Sequence, residues 1–183
     1  LCLVIALLAI GAVVLQRDRA RNALEAELAG AERTLALASR SLDELGRRVP
    51  TEERTSLLFS AVAQASAVIA AAPDYWRPWF VRAKARHQLR SWTDAIADLD
   101  EAERRHGGPT AELLHYRIDA RGQLHDVASQ QAQFADLHLL LDLDPSSQNR
   151  CIVAGEMLTL AATIEEPQRL QLLATVERVL GAS

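Results

Sequence analysis

The sequence predicts an all-α chain: an apolar N-terminal helix, a long juxtamembrane helix, then a stack of antiparallel helix pairs. Three observations carry that prediction. Leu1 to Leu15 holds no charged or strongly polar side chain. From Leu24 the apolar positions Leu28, Ala31, Leu35, Ala38, Leu42 and Leu45 follow at alternating spacings of 4 and 3, the period of a helical seam. The stretch from Trp79 overlays the stretch from Leu114 at an offset of 35 residues, with apolar residues meeting at each matched position.

Composition sets the outer limits. A chain of 183 residues, 49% hydrophobic, has room for one domain with a real core. A formal charge of −4 lacks the basic surplus that phosphate contacts need, so nucleic acid is excluded as the expected partner. Cys2 and Cys151 are too few for a disulfide framework or a four-ligand zinc site.

The apolar opening is shorter than the roughly 20 residues that cross a bilayer, so residues 1–15 read as the end of a truncated transmembrane anchor. A cleaved secretory segment is the rival reading. It lacks a small-x-small cleavage site before Gln16-Arg17-Asp18-Arg19. Arg17, Arg19 and Arg21 favour a cytoplasmic side for the remainder of the chain. With 19 Arg against one Lys and abundant Ala, the composition points to a bacterial source and hence to a single-pass protein of the inner membrane.

Residues 16–49 form the expected juxtamembrane helix. Its seam through residues 24–45 has two uses: homo-oligomerisation as a coiled-coil-like stalk, or packing on the helices of its own chain. With Leu28 at a, Glu27 falls at g and Glu32 at the following e, so a parallel in-register dimer would set these two acids against each other, which disfavours that arrangement. Pro50 ends the helix, and Thr51 with Glu52 and Glu53 starts the next, opening a repeat domain over residues 51–183.

In the overlay, Trp79 falls on Leu114, Ala85 on Ala120, Leu89 on Leu124, Leu99 on Phe134 and Ala102 on Leu137. Each unit divides into two helices. Arg77 to Leu89 is the first, Ser91 caps the second, and Gly107-Gly108-Pro109 stops it. The second unit runs from Thr110 to Gln123, turns at Leu124-His125-Asp126 and continues to Asp144-Pro145. Ala61 to Ala72 before these units reads as a half-repeat, and Gln148 to Leu160 with Pro167 to Leu180 as a closing pair.

Trp79, Ala83, Trp92, Ala95, Leu99 and Ala102 stand in the order of large and small positions that marks the tetratricopeptide repeat, which this stretch resembles. Arg82, Arg86 and Gln130 depart from that pattern. The resemblance implies an α-solenoid whose first helices line a concave surface that holds a peptide or protein partner, without catalysis and without a cofactor. It also makes Leu114, Leu124 and Phe134 packing positions of the second unit. Arg77, Phe80, Lys84 and His87, at spacings of 3, 4 and 3, share one helical face, which by the resemblance is the concave one and would suit an acidic segment.

No other chemistry is legible. The histidines lack a His-x-x-x-His pair, so no metal site is expected, and Cys151 reads as a small buried hydrophobe. The acids Asp94, Asp98, Asp100, Glu101 and Glu103 read as a solvated face. A single span followed by an Arg- and Ala-rich helix and degenerate repeats also resembles the C-terminal part of bacterial membrane-bound serine/threonine kinases. That resemblance implies a sensor or docking region behind a catalytic domain lying upstream.

Overall fold

The computed structural model describes residues 2–40, 51–164, 166 and 168–181. Leu42, Leu45, Pro50 and Pro167, expected as seam and boundary residues, lie outside that set. Among the described residues there are eight helices and no strand, and the chain divides into two compact units, Leu1–Leu89 and Arg90–Ser183. The boundary falls inside the stretch expected to be the first repeat.

Unit 1 holds three helices. α1 (Cys2–Ser39) is one unbroken helix of 38 residues, so the expected anchor and the described part of the juxtamembrane segment are a single element. It has no proline and runs through Gln16-Arg17-Asp18-Arg19 without a break. α2 (Thr51–Ala71) starts at the expected Thr51 with Glu52 and Glu53 in its first turn, but is far longer than the half-repeat helix from Ala61. α3 (Trp76–Gln88) comes after a short turn at Pro73-Asp74-Tyr75.

The α1 seam lies on the chain's own helices. Leu28, Ala31, Leu35 and Ala38 are buried in one cluster with Leu58, Ala61, Ala65 and Val68 of α2 and Val81 and Ala85 of α3. Alanine dominates because three helices approach closely here, and a larger side chain would hold the backbones apart. Polar ties close the far end of the seam, where Gln88 Nε2 donates to Ser39 Oγ at 2.7 Å.

α2 is also the one described helix long and apolar enough, by length and composition, to cross a membrane. In α1 the apolar stretch ends at Leu15 and is followed at once by Gln16-Arg17-Asp18-Arg19, so it is shorter than a span. Core helices also meet the criterion that α2 meets, and α2 packs its Leu58 to Ile69 stripe against α1 and α3.

Unit 2 consists of α4 (Trp92–His106), α5 (Ala111–Gly122), α6 (Val127–Leu143), α7 (Ser147–Ala161) and α8 (Gln168–Gly181). Three of its starts carry side-chain caps: Thr110 accepts from Leu113 N, Asp126 from Ser129 N and Ser146 from Asn149 N. Ser91 stands at the α4 N-cap but makes no such bond. Gly107 ends α4 at φ 87°, a left-handed conformation glycine adopts without strain. The core is Leu114, Ile118, Leu137, Leu140, Val153, Met157, Leu172 and their neighbours.

One buried network ties α4, α5 and α6 together. Arg117, 6% exposed, forks onto Asp136 with bonds of 2.9 and 2.7 Å, and also reaches Asp100 at 2.8 Å and Glu103. Arg121 adds a second cation on Asp136 and donates to Ala132 O at 3.0 Å. Desolvation opposes the Arg117 charge, but Asp136 and Glu103 outweigh it and push its pKa above the ordinary arginine value. The acids of α4 are therefore not a uniform solvated face. Asp98 is buried, while Asp100 and Glu103 turn to Arg117 because an arginine with no water must find its counter-charges within the fold.

Candidate docking groove in the second unit

The four α3 residues predicted as a partner face share one side of their helix, but the fold uses them unequally. Arg77 reaches back to α1, pairing with Glu32 at 2.8 Å and Glu25 at 3.5 Å and donating to Tyr75 Oη at 3.2 Å. Desolvation works against its charge, yet Tyr75 and Glu32 raise its pKa. Phe80 is buried, with the Lys84 ammonium 4.5 Å from its ring centre and Trp76 at 6.1 Å on another side. Lys84 and His87 are half-buried. Of the packing positions, Ala83, Ala95, Leu99, Ala102 and Leu114 are buried and Trp79, Trp92, Leu124 and Phe134 half-buried.

In the second repeat the same register positions are Glu112, His115, Asp119 and Gly122. Three of them line a groove. A hollow of about 190 Å³ runs between Asp119 and Gly122 of α5 and Glu156 and Thr159 of α7, over Gln133 of α6. Beside it lies a smaller hollow of about 40 Å³ bounded by His115 and Ile152 over Leu137 and Leu140. Asp119 and Glu156 border both hollows.

Local sequence explains the shape. Gly122 lets Gln133 close in, since a Cβ there would meet Gln133 Nε2 at 3.1 Å. Arg117 and Arg121 point away into the ionic network, which fixes α5 against α6 beneath the groove. On α7 the inward positions are Asn149, Val153, Ala154 and Met157, leaving Ile152, Glu156 and Thr159 exposed beside the hollow. Asn149 itself is 3% exposed and donates from Nδ2 to the carbonyls of Leu140 and Asp144, at 3.3 and 2.6 Å, which fixes the start of α7 against the end of α6.

Cys151 is exposed, contrary to the buried hydrophobe expected, because it lies off that inward stripe. His138 packs its ring edge-on to Phe134 at 4.5 Å. Among the described residues no three His, Cys, Asp or Glu gather as metal ligands. A separate apolar pocket of about 210 Å³ lies among α6, α7 and α8, walled by Phe134, Leu160, Ile164 and Leu172 with Gln130 and Gln171 at its edge.

The groove is invisible in the sequence because its α5 wall reads as a gap in a basic stripe. Only the α7 wall, supplied across space, makes the three residues a surface. Compared with protein-family models, with curated proteins and with solved structures, the chain matches none. The geometry of the groove is therefore the ground for assigning it a function.

Proposed function

We propose that the chain is a membrane-tethered protein-interaction module of tetratricopeptide-like helix pairs, with the apolar N-terminal end of α1 as its bacterial inner-membrane anchor and no catalysis of its own. The observation that supports this reading most is the recessed surface between α5 and α7, where residues of both helices wall two neighbouring hollows. Carboxylates of Asp119 and Glu156 border that surface, and the exposed Ile152 beside them supplies apolar contact. This combination suits an extended protein segment carrying Arg or Lys among apolar residues, the reverse of the acidic ligand that the α3 face would take.

Selection of decapeptides from a random phage-displayed library on the full chain tests the reading. Enrichment of basic, partly apolar sequences is expected, with binding lost in Asp119→Lys with Glu156→Lys while the thermal melt is retained. Absence of enrichment, or binding indifferent to that charge reversal, would overturn it.

A further inference from the structure

The exposed end of unit 1 nearest the N-terminal half of α1 gathers aromatic residues. α1 and α3 run the same way and α2 runs against them, as the ties of Gln88 to Ser39, Thr34 to Gln64 and Arg77 to Glu25 and Glu32 fix. The turn from Ala72 to Trp76 therefore lies at the level of Glu25, on the side from which α1 extends. Tyr75 Oη donates to Glu25 at 3.0 Å, and Trp79 Nε1 donates to Pro73 O at 3.0 Å, holding the turn closed. Tyr75, Trp76 and Trp79 are all partly exposed there, and Arg82 stands 4.9 Å from the Trp79 ring centre. Pro73 and Asp74 are exposed at the tip.

Residues 13–23 are exposed on every side, from Val13, Val14 and Leu15 through Arg17, Arg19 and Arg21. We infer that the Pro73–Trp79 turn is a second membrane contact, an aromatic foot resting in the headgroup layer beside the anchor. The inference rests on the proposed tether. From Leu15 to Glu25 the helix rises roughly 15 Å at 1.5 Å per residue, while the headgroup layer is about 5–8 Å deep. Upright, the turn would stand clear of the lipid. Because α2 and α3 lie about 8–10 Å to one side of α1, a lean of roughly 30–40°, within the range of spanning helices, brings the turn down to the headgroups. α1 has no hinge, so the whole three-helix unit leans with it. With the Tyr75 hydroxyl held by Glu25 and the Trp79 indole N–H by Pro73 O, it is the partly exposed rings that suit that layer, where aromatic side chains concentrate. The acidic Asp74 makes zwitterionic lipid the better surface for the foot, while Arg17, Arg19 and Arg21 face the headgroups from α1 itself.

The test uses the full chain with Trp92→Phe, which leaves emission to Trp76 and Trp79, reconstituted in phosphatidylcholine vesicles. Flotation reads the tether and quenching reads the foot. The expected result is a chain that floats, with emission quenched strongly by headgroup-spin-labelled lipid and several-fold less by aqueous iodide. A chain that floats but is quenched by iodide and not by the labelled lipid overturns the foot alone. A chain that stays at the bottom of the gradient overturns the tether and the foot with it.

Discussion

The two units solve the same packing problem with different chemistry. Unit 1 joins its helices through a dry seam of alanines with Leu28, Leu58 and Val68, and keeps its ion pairs at the rim, where Arg77 is 40% exposed. Unit 2 places a cation inside: Arg117 joins α5 to α6 through Asp136, a carboxylate only 5% exposed, and to α4 through the more exposed Asp100 and Glu103. Small side chains let three helices meet closely enough that apolar contact suffices. In unit 2 larger core residues space the helices, and the ionic fork fixes their register and the width of the groove above it.

The contrast can be broken at its strongest point first. Asp136→Ala leaves Arg117 and Arg121 without their shared acid in a dry site, and should cost unit 2 about 3–5 kcal/mol, read as the urea midpoint of that unit's amide exchange. An unchanged midpoint would make the network ornamental. In unit 1, Leu28→Ala opens a cavity in the seam and should cost about 3 kcal/mol. Sedimentation should show no change of oligomeric mass with it, whereas dissociation of a dimer would mean the seam works between chains. Arg77→Ala, at a half-exposed pair, should cost no more than about 1 kcal/mol, and 1 M salt should erase the difference.

The smallest effect concerns the α6 cap and pH. Hydrogen bonds from the Ser129 hydroxyl and backbone N–H hold the Asp126 carboxyl below its ordinary value of 3.8. A depressed folded pKa stabilises above the unfolded value, and that stabilisation is lost as pH falls through the lower, folded one. Asp126→Asn keeps the cap without titrating. Wild type should therefore lose stability relative to this variant only below about pH 4, as tracked by the helix melt.

Much of the backbone was legible from local rules. Thr51, Thr110, Gly107 and the turn at Leu124-His125-Asp126 set boundaries close to those observed, since caps and glycines act through neighbouring residues. The alternating spacing of Leu24 to Ala38 showed a buried stripe, but not that α2 and α3 would cover it. Arg117 gave no sign of its role, because burial of a charge depends on Asp100, Glu103 and Asp136 arriving from two other helices. For the same reason the α3 quartet looked free in sequence, although Glu25 and Glu32 occupy Arg77.

Hydrogen exchange of the full chain, with and without a basic peptide from the phage selection, addresses the docking surface most directly. Protection is expected in α5 from His115 to Gly122 and in α7 from Ile152 to Ala161, with α3 unchanged. Protection centred on Arg77 to His87, with α5 and α7 silent, would contradict the account and move the docking face to unit 1.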